Sequence, residues 1–181
     1  MILENKVVIV TGASRGVGAS IAQVLANEGA AVCINYLKSV DRATQLVKAI
    51  TEKGGKAFAY QADVTDFATV EAMVAQVIQT YGRVDIVVNN ALPTYKFDPA
   101  APYTSVETIQ WENFAQQIDG AVKGAFNTVR AVVPQMKAQQ FGKVINIFTN
   151  LVYNPVVTYY GKGRTRGANS QPGSRSATLE T

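Results

Sequence analysis

The chain has 181 residues, of which 48% are hydrophobic and 17% charged, a balance that suits one globular domain with a sizeable core. It contains no histidine and one cysteine, Cys33, which excludes histidine triads, histidine metal sites and a cysteine-anchored zinc. The net charge of +4 is concentrated at one end: residues 161–181 carry Lys162, Arg164, Arg166 and Arg175 against Glu180, so the rest is almost neutral and offers no basic face for nucleic acid.

The first apolar run, Val7 to Val10, reads as a buried strand and leads into Thr-Gly-Ala-Ser-Arg-Gly-Val-Gly at residues 11–18. A glycine-rich turn that opens a helix presents unpaired backbone N–H groups and the positive end of the helix dipole, which together suit a pyrophosphate. Gly12, Gly16 and Gly18 stand where a β-carbon would block the turn, the ligand's approach or the packing of helix on strand. With Thr11, Ser14, Arg15 and Val17 they are the candidate cofactor contacts of this loop.

The second run, Ala31 to Asn35, contains Cys33, whose expected role is core filler in a reducing compartment. A carboxylate near the end of this strand, about 20 residues beyond the glycine turn, would bind the ribose 2′-hydroxyl of NAD. The chain has Asn35, Tyr36, Leu37 and Lys38 there, and Asp41 lies farther on at the expected start of a helix. Arg15 and Lys38 are suited to a 2′-phosphate, so the expected cofactor is NADP in preference to NAD.

Ala43, Leu46, Val47 and Ile50 recur at helical spacing, then Ala57 to Gln61 reads as a strand, and Val70, Met73, Val74 and Val77 mark another helix. Asp85 to Asn89 is the fourth strand. A Pro-rich stretch follows (Pro93, Pro99, Pro102), with a capping box at Thr104 and Glu107 and a helical region continuing towards Met136. Val144 to Phe148 is the fifth strand. Alternation of this kind implies right-handed crossovers and an α/β fold of the Rossmann type: a doubly wound parallel sheet of about five strands, incomplete at its C-terminal side.

The apolar runs are strand-length and the N-terminus lacks the pattern of a signal peptide, so no membrane association and a cytoplasmic location are expected. Residues 161–181 hold Gly161, Gly163, Gly167, Pro172 and Gly173 with few apolar side chains. No helical face there would cover a sheet, and the expected organisation is a dinucleotide-binding domain at 1–160 followed by a disordered basic tail at 161–181.

Four motifs in order, namely Thr11 to Gly18, Asp63-Val64, Asn89-Asn90-Ala91 and Val144-Ile145-Asn146-Ile147, resemble the short-chain dehydrogenase/reductase family, in particular its 3-oxoacyl-[acyl-carrier-protein] reductase-like members. The resemblance spans about residues 3–160. It implies an NADP-dependent oxidoreductase that moves a hydride between nicotinamide and a small carbonyl or alcohol substrate, a 3-oxoacyl thioester among the options. It also implies that Asp63 and Val64 contact the adenine, and that Asn89, Asn90 and Ala91 line the cofactor pocket and stabilise the central sheet. Members commonly form homo-oligomers through the long helices after the fourth and fifth strands. Of that interface this chain supplies the first half, where Phe126, Val129, Val132 and Val133 either face outward or pack on the sheet.

Catalysis in the family uses a tyrosine acid, a lysine four residues later, a carbonyl-polarising serine and a relay asparagine. A free phenol titrates near pH ~10 and needs the neighbouring cation to work near neutrality. Thr149 falls at the serine position and keeps a hydroxyl, whereas Ala121 falls at the asparagine position and cannot relay a proton. In the same register Lys162 and Arg166 replace the tyrosine and lysine. Tyr160 with Arg164, and Tyr159 with Lys162, are makeshift pairs, but Gly161 and Gly163 disfavour the helix that would align Tyr160 with Arg164, and arginine offers only a fixed charge. Impaired or absent turnover is the expectation, with a non-catalytic nucleotide-binding domain or a non-functional product as the alternatives. Codons for Tyr160 to Ser176 can be chosen so that a one-base shift spells TAKAALVGRTRNLAAG, which resembles the family's active-site helix and points to a frameshift or a gene-model error, with a natural flexible extension as the alternative.

Overall fold

A computed structural model describes residues 1–92 and 111–147. The elements run β1 (Val7–Val10), α1 (Gly16–Asn27), β2 (Ala31–Tyr36), α2 (Val40–Thr51), β3 (Lys56–Gln61), α3 (Phe67–Tyr81) and β4 (Ile86–Asn89), then α4 (Trp111–Ile118), a π-helical turn (Asp119–Lys123), α5 (Gly124–Ala138) and β5 (Lys143–Asn146). All strand pairs are parallel, in the order β3-β2-β1-β4-β5. Parallel neighbours cannot be joined by a tight turn, and the helices serve as the crossovers.

Every residue of β1 is buried, as a central strand covered on both faces requires. Its side chains alternate between two cores. Val7 and Ile9 join Cys33, Val87, the α3 stripe Val70, Met73, Val74 and Val77, and Val132 and Met136 of α5. Val8 and Val10 join Val32, Ile34, Ile86 and Val88 with Ala22 and Ala26 of α1 and Ala43 and Ile50 of α2. Small residues on the buried face of α1, Gly18, Ala22 and Ala26, let that helix lie close to the sheet. Each fully buried valine or isoleucine contributes about 1.5–3 kcal/mol to this two-sided core.

The sequence-derived strands coincide with the observed ones to within a residue or two. β2 extends to Tyr36 and β3 begins at Lys56, while β5 begins at Lys143 and is described as strand to Asn146. Val132 lies in the core, whereas Phe126 is 62% exposed. The Pro-rich stretch with Thr104 and Glu107, together with Thr149, Tyr159, Tyr160 and residues 161–181, lies outside the described residues.

Among the described residues, Asp85 is a fully buried carboxylate at the N-terminal end of β4. It accepts from Val7 N (2.9 Å) and from Arg83 Nε and Nη2 (2.8 and 2.6 Å), with Lys6 Nζ at 3.8 Å. A buried charge persists only when its oxygens are filled this way, and the cluster fixes the spacing of β1 and β4. No described helix is long and apolar enough to cross a membrane.

Candidate functional site

The chain leaves β1 towards β2 and β3, then returns to place β4 on the other side of β1. At such a reversal the connections after the two central strands diverge and open a crevice beyond their carboxyl ends. The loop at residues 11–18 follows β1 and Asn89-Asn90-Ala91 closes β4, so two of the four motifs meet at this switch point.

Their junction is densely bonded. Thr11 donates from its backbone to Val88 O (3.0 Å), and its hydroxyl oxygen accepts from Asn90 N (2.9 Å) and Ala91 N (3.0 Å). Asn90 Nδ2 donates to Thr11 O (2.9 Å) and Gly12 O (3.3 Å). Gly12 has φ of 61°, and a β-carbon there would lie 2.8 Å from Ala91 Cα. A β-carbon on Gly18 would run into Asn90 Nδ2 and stand 2.8 Å from Gly12 O. These two glycines are therefore required by close packing of the loop itself.

Gly16 differs. Its φ is 57°, yet a β-carbon there would meet nothing within 4 Å. It begins α1, whose N-cap Arg15 provides no side-chain cap and whose first turn carries no acidic residue. Ser14 is half-buried, and Arg15 and Val17 are exposed. An uncapped, carboxylate-free helix start beside open space is the cradle a pyrophosphate fits.

Asn35, 2% exposed, locks the loop from the β2 side. Its Oδ1 accepts from Gly12 N (3.1 Å) and its Nδ2 donates to Ala62 O (3.0 Å), while its carbonyl accepts from Ala13 N (2.8 Å). Both ends of its amide are thus engaged within the protein, and Tyr36, half-buried, ends the strand beside it. Lys38 is exposed just beyond, and Gln61 Nε2 holds Leu37 O at 2.9 Å.

Asp63 and Val64 form the corner between β3 and α3. Asp63 Oδ1 accepts from Thr65 N (2.9 Å) and Thr65 Oγ1 (2.7 Å), which fixes the carboxylate's direction. Asn127 of α5 reaches this corner and donates to Val64 O at 3.0 Å. Sequence reading passed over Asn127, although a polar residue within the buried stripe Gly124, Asn127, Thr128, Val132 and Met136 was the available signal. Asn89 Nδ2 donates across the β4–β5 pair to Asn146 Oδ1 at 2.9 Å, and Asn89 Oδ1 is a buried acceptor without a donor among the described residues. Ala121 sits in the π-helical turn, an irregularity that recurs at functional sites. Cys33 is buried in the first core, where desolvation pushes its thiol pKa far up.

Comparison with known proteins agrees with this geometry. The short chain dehydrogenase family model matches residues 6–161. The 3-oxoacyl-[acyl-carrier-protein] reductase FabG of Staphylococcus epidermidis is 38% identical over 97% of this chain and 72% of its own length. The enzyme of the same name from Staphylococcus aureus strain Mu50 is 37% identical over 97% of this chain and 72% of its own. Among solved structures, a 7α-hydroxysteroid dehydrogenase complexed with NADH and 7-oxo glycochenodeoxycholic acid superposes with a TM-score of 0.77 at 28% identity, covering 89% of this chain. A Serratia marcescens short-chain dehydrogenase/reductase mutant gives 0.77 at 30% identity over 90% of this chain. The chain spans 60% and 63% of the lengths of those two structures. A doubly wound parallel sheet, a glycine cradle at its switch point and a family match across most of the sequence lead to one conclusion: this chain belongs to the short-chain dehydrogenase/reductase family.

Proposed function

We propose that the chain binds NADP(H) at the switch point and turns over carbonyl substrates poorly or not at all. The observation that carries the binding half is the loop at residues 11–18, closed on Asn35 and Asn90 and open at Gly16. In this reading Ser14, Gly16 and Val17 receive the pyrophosphate, with Thr11, Gly12 and Gly18 giving the loop its shape. Asn35 and Tyr36 shape the ribose end, Asp63 and Val64 meet the adenine, and Asn89, Asn90 and Ala91 line the remaining wall. Arg15 and Lys38, with no carboxylate among Asn35 to Lys38, favour the 2′-phosphate of NADP over NAD. Bound NADP(H) supplies the hydride, for a small carbonyl or alcohol substrate of which a 3-oxoacyl thioester is the first to try.

The impaired half rests on sequence. Lys162 and Arg166 stand in the register of the family's tyrosine and lysine, and Ala121 stands in that of its asparagine. Thr149 keeps a hydroxyl to polarise a carbonyl, and Tyr160 is a weak substitute acid. Loss of a positioned general acid lowers turnover by about a hundredfold or more. The composition of residues 161–181 fits a frameshift near Tyr160, a gene-model error or a natural flexible extension, and sequencing of the coding DNA there distinguishes them. A second copy of the chain is the proposed partner, since Trp111, Ile118, Val122 and Phe126 leave exposed apolar side chains along α4, the π turn and α5.

Calorimetric titration with NADPH and NADH tests the reading. NADPH is expected to bind saturably and more tightly, with the preference reduced in Arg15→Ala and Lys38→Ala. Tighter binding of NADH rejects the cofactor assignment, and absence of saturable binding by either rejects the binding half.

A further inference from the structure

The β3–α3 corner is held by three side chains from three different elements. The carbonyl of Ala62 takes Asn35 Nδ2 from β2 (3.0 Å), that of Asp63 takes Thr69 Oγ1 from α3 (2.8 Å), and that of Val64 takes Asn127 Nδ2 from α5 (3.0 Å). Three consecutive carbonyls are thus committed inward. What the corner retains for a ligand includes Asp63 Oδ2, which makes no hydrogen bond among the described residues.

Two features of α5 act on this corner together. Asn127 is 4% exposed, so its amide has little freedom to seek water in place of Val64 O. One turn earlier, Gly124 lies against Val64, and a β-carbon there would stand 2.7 Å from Val64 Cγ2. Close approach of α5 at Gly124 is what brings Asn127 within reach. The same stretch begins at the π-helical turn, which sets the rotational phase of α5 relative to α4. Val122 and Phe126, its exposed neighbours, point away from the core.

We infer that Asn127, seated by Gly124, is a positioning residue for the adenine end of the nucleotide site, and that it links the placement of α5 to the direction of the Asp63-Val64 corner. This rests on the proposed contact of that corner with adenine. Loss of the donor leaves a carbonyl unpaired and frees the corner, and the penalty falls on ligands that carry adenine.

Asn127→Leu removes the donor while keeping the branched shape of the side chain, and Gly124→Ala pushes on Val64 from the same helix. Each is expected to weaken AMP by about tenfold. Affinity for reduced nicotinamide mononucleotide, which lacks adenine, is expected to stay within twofold of wild type. Amide hydrogen exchange at Val64 and Thr65 should accelerate in both variants. A role confined to stability would lower the affinity for both fragments or for neither. AMP binding by wild type that both variants retain in full overturns the inference alone, as does unchanged exchange at the corner. If wild type binds neither fragment, the nucleotide reading falls and this inference with it.

Discussion

Asn35 shows how closely one amide can be specified. It accepts from a glycine N–H and donates to a carbonyl, so a carboxylate of the same shape satisfies the first partner and repels the second. Asn35→Asp should therefore lower stability by about 1–3 kcal/mol in urea unfolding and weaken NADPH, without a gain in NADH affinity. Gly18→Ala should cost about 1–3 kcal/mol as well, because Asn90 and the Gly12 carbonyl leave no room for a methyl group. Cys33, buried and with its thiol pKa pushed up, should resist thiol reagents in the native protein and react promptly in denaturant. At this scale the glycines and asparagines were legible in the sequence as types in a pattern. Their bonds were not, since Asn35 reaches partners 23 and 27 residues away and only strand order brings those together.

At the scale of elements, α3 is the best defined by its own sequence. Asp66 caps it by accepting from Ala68 N at 3.0 Å, and Gly82 ends it at φ of 78°. Asp66→Ala should cost about 1 kcal/mol, read as a lower urea midpoint with an unchanged slope. The strands were legible because apolar runs of four to six residues between turn signals leave few other readings. The helix after β4 was less so. Its periodicity announces a helix but not the π turn at Asp119–Lys123, and that turn shifts which residues face the core beyond it. Val132 and Phe126 illustrate the result: both are apolar, and one is buried while the other is exposed. Asn127 escaped notice for a related reason, because a polar side chain on an apolar stripe gains its meaning from the loop it meets.

For the whole molecule, the described sheet has two edges, β3 and β5. Among the described residues β5 has one neighbour, and Val144 and Ile145 are 41% and 44% exposed. An exposed strand edge flanked by uncovered apolar side chains invites association. Val144→Lys with Ile145→Lys should reduce light scattering at high concentration while leaving NADPH affinity intact, because both positions lie away from the glycine loop in the sheet. The glycine-loop side of the described molecule is cross-linked by hydrogen bonds from Thr11 through Asn35 and Asn90 to the Ala62 carbonyl beside the Asp63 corner. In the proposed family register, by contrast, Ala121, Lys162 and Arg166 stand where the proton-transfer groups would be. Binding and turnover should accordingly come apart. The decisive comparison is NADPH-dependent reduction of a 3-oxoacyl thioester by this protein and by the Staphylococcus epidermidis reductase, at matched occupancy with NADPH. Saturable NADPH binding with turnover about a hundredfold or more below the relative is the expected result, and turnover equal to the relative's would contradict it.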